Sequence, residues 1–132
     1  MIFFWDSSAF LPLLFQEKHS DRAVDAWEAQ GSHFAWKWME VETHSAVVRR
    51  KSIESHLQDW RTKMDEIIFL TTPADSNREI MTMNEHWALR SADAGHVYVL
   101  NALRRKHPDV VLVTFDAEMI RLARKNSWSI WE

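Results

Sequence analysis

The sequence predicts an α/β protein: a three-layer α/β/α sandwich around a mainly parallel sheet of roughly five strands. Short apolar, often β-branched runs recur along the chain, each parted from the next by a longer stretch of helical period. Strands that alternate with helices need crossover connections, which leave a parallel sheet between two helical layers. The 132 residues suffice for one core, and no repeat, low-complexity tract or Pro/Gly-rich linker divides them, so one domain over 1–132 is expected.

Ile2-Phe3-Phe4-Trp5 reads as a buried first strand, followed by a helix from near Ser8. Pro12 falls in its early turns, where a missing N–H does least harm. Ser20–Ala29 is a second helix closed by Gly31, His33–Trp36 a second strand, and Trp38 to about Lys51 a third helix. Ser52–Met64 continues as helix after a bend, and Ile67–Leu70 is a strand stopped by Thr71-Thr72-Pro73. Asp75–Trp87 and, more clearly, Ser91–Lys106 have helical period. Val110–Thr114 is the strongest strand, β-branched and apolar. Asp116 is the natural N-cap of a helix to Lys125, Asn126 supplies its closing left-handed turn, and Ser129–Trp131 forms a short fifth strand.

Composition removes several function classes. No cysteine is present, which excludes disulfides, thiolate metal sites and a cysteine nucleophile, and is compatible with a cytoplasmic location. No apolar run is long enough to span a bilayer. The apolar opening 1–15 has no basic flank and carries Asp6, so it reads as fold and not as a signal peptide. Two glycines leave no phosphate-cradling loop, and seven histidines include no HExxH or close pair for zinc. A net charge of −3 lacks the global basic character of many nucleic-acid binders. Basic residues do cluster, at Arg49-Arg50-Lys51, Arg104-Arg105-Lys106 and Arg121 with Arg124-Lys125. Cations suit helix C-termini, so only a shared face would make these clusters a phosphate-binding surface.

In parallel sheets ligands bind beyond the carboxyl ends of the strands. Asp6 follows the first strand and Asp116 the fourth, so both belong at that edge. Taken singly, each acid has a structural explanation: Asp6 and Asp116 as helix caps, Asp93 as a first-turn acid, Glu42 as an exposed helix residue. The functional reading rests on the four together. On the third helix, Trp38, Val41, Ser45 and Val48 share one face, taken as the core side. Glu42 borders it at roughly 40–60° and Glu40 points away, at ~100° per residue. His96 lies above Asp93, and Ala92, Ala94 and Gly95 leave room for a ligand or a packed helix. Four converging carboxylates repel one another unless divalent cations neutralise them.

These motifs resemble the PIN-domain nucleases, especially the VapC-type toxins of prokaryotic toxin–antitoxin pairs. The likeness runs from about Ile2 to Trp131. Phe4-Trp5-Asp6-Ser7-Ser8-Ala9-Phe10 resembles the family's opening element. Glu42-Thr43-His44-Ser45-Ala46-Val47-Val48-Arg49 resembles the helix of its second acid, with the Ser-Ala pair favouring Glu42 over Glu40. Leu89-Arg90-Ser91-Ala92-Asp93-Ala94-Gly95-His96 resembles the helix start of the third, and Val113-Thr114-Phe115-Asp116 the fourth. Ser7 stands where threonine is commoner, and residues from about Ser52 to Trp87 match nothing diagnostic. The resemblance implies a PIN-like fold and endoribonuclease activity with one or two Mg²⁺ or Mn²⁺ ions. It implies that Asp6, Glu42, Asp93 and Asp116 are the catalytic metal-holding residues, supported by Ser8, Thr114 and His96. It further implies frequent homodimers, no membrane association and a small cognate antitoxin as partner.

Rival readings have specific deficits. A haloacid-dehalogenase-type phosphatase needs a second Asp two residues after the first, where this chain has Ser8. A receiver domain needs paired acids and a late lysine that have no place here. Two alternatives stay open: a PIN nuclease acting in RNA processing or on DNA outside a toxin system, and a PIN-like binding module with little catalysis. Of eight tryptophans, most are expected in the core, with Trp27 or Trp60 as candidate exposed anchors for a dimer or a partner.

Overall fold

A computed structural model describes residues 1–51 and 53–132. Four strands and seven helices follow in the order β1 (Ile2–Trp5), α1 (Ser7–Leu14), α2 (Ser20–Glu28), β2 (Ser32–Trp36), α3 (Trp38–Arg49) and α4 (Glu54–Met64). Then come β3 (Ile68–Leu70), α5 (Ser76–Trp87), α6 (Ser91–Lys106), β4 (Val111–Val113) and α7 (Ala117–Lys125). The expected helix start at Ser52 lies outside the described residues.

The sheet is wholly parallel, ordered β3-β2-β1-β4, with Phe4 opposite Phe34 on one side and Leu112 on the other. It has four strands where roughly five were expected. Ser129–Trp131 makes only a bridge, Leu112 to Ile130, with the Leu112 N–H donating to the Ser129 carbonyl and the Trp131 N–H to that of Leu112. With two bonds, the segment stops short of a strand.

Alternation along β1 builds the three layers, since successive side chains leave opposite faces. Phe3 and Trp5 enter one core with Ala9, Phe10, Ala26, Met39, Val47 and Met64 of α1 to α4. Phe4 enters the other, with Val97, Leu100 and Leu103 of α6 and Met119 and Leu122 of α7. Gly31 lies between α2 and β2 because a Cβ there would stand 2.2 Å from the Met1 carbonyl oxygen. The positive φ expected at Asn126 belongs to Ser127, at +58°, while Asn126 has φ −101° and its side-chain amide donates to the Leu122 carbonyl. Among the described residues no helix is long and apolar enough to cross a membrane.

The exposed aromatic is a different tryptophan from those expected. Trp27 packs edge-on against Trp5 and Phe10, and the Trp60 indole donates to Thr43 Oγ1 at 2.9 Å. Both join the first core, whereas Trp38 is 49% exposed.

Candidate active site

Between the carboxyl ends of β1 and β4 lies a half-open cavity of about 160 Å³, lined by Asp6, Ser7, Ser8, Glu42, Arg90, Asp93, His96 and Asp116. All four acids singled out in the sequence border it. Larger hollows open elsewhere, including one of 340 Å³ between residues 70–73 and α6, but no carboxylate lines that one.

Asp6 ends β1 and caps α1. Its Oδ1 accepts from the Ala9 N–H at 3.2 Å and from Ser8 Oγ at 2.6 Å, and its Oδ2 accepts from Thr114 Oγ1 at 2.5 Å. Ser8 and Thr114 also accept backbone N–H groups, of Phe115 and Asp116, and so tie the end of β4 to the start of α1. Burial pushes the Asp6 carboxyl above its ordinary 3.8, and the charge of His96 with the three hydrogen bonds offsets that only in part.

Asp116 divides its two oxygens. Oδ1 caps α7, accepting the Glu118 and Met119 N–H groups at 2.9 and 3.1 Å, which leaves Oδ2 to the cavity. Asp93, in the first turn of α6, is pushed up by burial and then by the Asp116 charge, against the pull of Arg90. The Arg90 guanidinium answers both acids: Nη2 donates to Asp116 Oδ2 at 2.9 Å and Nε to Asp93 Oδ2 at 3.2 Å.

Glu42 reaches the cavity by a route other than the one expected. The stripe Trp38, Val41, Ser45 and Val48 faces solvent, and the buried stripe of α3 is Met39, Thr43 and Val47. Glu42 and Glu40 flank that stripe on opposite sides. Glu40 pairs with Lys37 at 3.0 Å, while Glu42 Oε1 meets His96 Nε2 at 2.7 Å and Ser7 Oγ at 3.0 Å. Burial raises the Glu42 carboxyl, but the His96 hydrogen bond and charge together with the Ser7 hydroxyl outweigh it and hold it below its usual range. His96 is itself 2% exposed, with the Trp36 ring edge-on against it. The room beside Gly95 is used by that indole, since a Cβ at Gly95 would stand 2.2 Å from Trp36 Cη2.

Two residues of the cavity had no assigned role in the sequence, Ser7 and Arg90. Arg90 carries a readable signal, a cation three residues before an acid at a helix start. None of the three basic clusters lines the cavity, and Arg90 is its one Arg or Lys among the described residues.

Chemically the cavity offers four carboxylates and two hydroxyls beside the His96 ring and the Arg90 guanidinium, and carboxylate oxygens suit hard divalent ions. As the side chains stand, no three carboxylate or imidazole groups among the described residues are arranged to hold one ion. Arg90 engages the cavity-facing oxygen of Asp116 and an oxygen of Asp93, and His96 engages Glu42. The donor types fit a divalent cation.

No family model and no curated protein sequence matches the chain. Among solved structures it is similar to VapC20 of Mycobacterium tuberculosis, a toxin that cleaves the sarcin–ricin loop. The likeness covers 91% of this chain and 94% of that one, at 16% sequence identity and a TM-score of 0.70. The chain therefore has the α/β fold of a VapC-type PIN domain.

Proposed function

We propose that the protein is a metal-dependent endoribonuclease that hydrolyses RNA phosphodiester bonds at this cavity, and that it is the toxin of a toxin–antitoxin pair. The observation that carries the reading is the meeting of Asp6, Glu42, Asp93 and Asp116 at one sheet edge in a fold shared with an RNA-cleaving VapC toxin. A small cognate antitoxin, a homodimeric state and a cytoplasmic site of action belong to the same reading.

The four acids would hold one or two Mg²⁺ or Mn²⁺ ions, which take carboxylate oxygens and keep several waters. Such an ion, when bound, supplies Lewis acidity toward the phosphodiester and makes water a stronger nucleophile at neutral pH. The remaining work falls to the chain. Ser8 and Thr114 fix both oxygens of Asp6, and Ser7 and His96 fix Glu42, so these carboxylates keep one orientation. Asp116 is held by α7 through one oxygen and presents the other.

The test is incubation of the purified chain with structured RNAs in Mg²⁺, Mn²⁺ or EDTA. Cleavage is expected with either ion and not in EDTA. Asp93→Asn is expected to stay folded and to lose cleavage by at least about 10²-fold, as removal of one electrostatic group at a reacting centre commonly does. Parent-like cleavage by Asp93→Asn, or cleavage in EDTA, would sink the mechanism, and no cleavage of any RNA would favour a PIN-like binding module. A short adjacent gene encoding a DNA-binding protein with an apolar tail would mark the toxin; cleavage without one would point to RNA processing.

A further inference from the structure

Arg90 holds Asp93 and Asp116 together although its own side chain is 72% exposed. It stands just outside α6 with extended backbone, φ −61° and ψ 154°. Among the described residues its guanidinium donates to these two acids and to nothing else. An arginine so open keeps its place through those bonds alone, and a change of side-chain rotamer frees it without moving the backbone. In the cavity it supplies the positive charge that Asp93 and Asp116 need beside each other.

A divalent ion makes the same demand on the same oxygens. A guanidinium and an ion compete for the charge and the cavity-side lone pairs of Asp93 Oδ2 and Asp116 Oδ2, and the cavity of about 160 Å³ has room for an ion with a few waters at roughly 30 Å³ each. Once displaced, Arg90 stays at the rim of a site otherwise lined by acids, hydroxyls and a buried histidine. Among the described lining residues Arg90 is the one Arg or Lys, and so the one permanent cation for a phosphate. The fork of an arginine matches two phosphate oxygens at once.

We propose that Arg90 is a phosphate-positioning residue, parked on Asp93 and Asp116 in the ion-free protein and released by a divalent cation to pair with an RNA phosphate beside the scissile bond. The proposal rests on the nuclease reading above and assigns the residue that draws an anionic substrate to an acidic cavity.

The experiment compares the full-length parent, Arg90→Met, Arg90→Lys and Asp93→Asn in two measurements: Mn²⁺ affinity without RNA, by titration calorimetry or electron paramagnetic resonance, and steady-state cleavage of a structured RNA. Removing the competing guanidinium is expected to tighten Mn²⁺ binding about tenfold in Arg90→Met, the scale of one charge-assisted bond pair. The same variant is expected to raise KM by about tenfold with a smaller change in kcat, and Arg90→Lys to recover part of that KM. Unchanged or weaker Mn²⁺ binding in Arg90→Met overturns the parked state, and an unchanged KM overturns the positioning role. If the parent binds Mn²⁺ and cleaves RNA and Asp93→Asn does neither, the nuclease reading stands whatever Arg90 does. A parent that binds no Mn²⁺ overturns both.

Discussion

Keeping Asp6 ionised at the sheet edge costs free energy, because its carboxylate is 3% exposed and has lost most of its hydration. Ser8, Thr114 and the Ala9 N–H return only part of that cost, so the folded carboxyl lies above its ordinary 3.8. For an acid raised by folding, the contribution to stability is complete below 3.8 and is lost as pH rises through the folded value. Asparagine has nearly the same shape, caps a helix as well and carries no charge. In EDTA at pH 7, Asp6→Asn is therefore expected to melt above the parent. The gap should close toward pH 3, where the parent is neutral too, and RNA cleavage should be lost. A lower melting temperature at pH 7 would mean that the hydrogen bonds outweigh burial.

At the level of elements, α3 and α6 are placed by contacts that periodicity alone does not rank. The Trp36 ring lies on Gly95 and edge-on against His96, which in turn holds Glu42, so one indole links β2 to two sides of the cavity. Gly95→Ala pushes a methyl group into that ring. Overpacking costs roughly 1–3 kcal/mol and the better helix propensity of alanine returns about 1, so a net loss of up to roughly 2 kcal/mol is expected in urea unfolding. A variant as stable as the parent would show that Trp36 swings aside freely. The boundaries of α6 and the runs of β1 and β4 were legible because their patterns are long, continuously apolar or strongly β-branched. The buried face of α3 was not, for a physical reason: the helix carries two apolar stripes, each with one polar residue, and the one containing Thr43 went inside. Thr43 is buried at no polar cost, since its hydroxyl donates to the Met39 carbonyl and accepts the Trp60 indole N–H. Glu42 was thus the residue that reaches the cavity, but the face used to choose it was the exposed one. Arg90 was hidden differently, because its role depends on Asp116, 26 residues away, and no helical spacing reveals that.

Over the whole molecule, the chain leaves β1 on one side to build β2 and β3, then returns on the other to place β4. That reversal opens the crevice between the carboxyl ends of β1 and β4, where open α/β sheets bind ligands. Asp6 and Asp116 come from its two strand ends, Glu42 from a helix packed on one face and Asp93 from a helix packed on the other. An ion held by these acids would join both cores through one point, so its binding free energy would add to the stability of the entire fold. At a hundredfold excess over Kd the gain is about 2.7 kcal/mol, which for this length corresponds to a rise in Tm of about 8–13 °C. The parent in Mn²⁺ is expected to show that rise over EDTA, and Asp93→Asn and Glu42→Gln to show little of it. Glu40→Gln is expected to keep the full rise, since Glu40 pairs with Lys37 on the other flank of α3. A rise retained by Glu42→Gln and lost by Glu40→Gln would move the second acid to Glu40, whereas equal rises in all four proteins would place the ion outside this cavity.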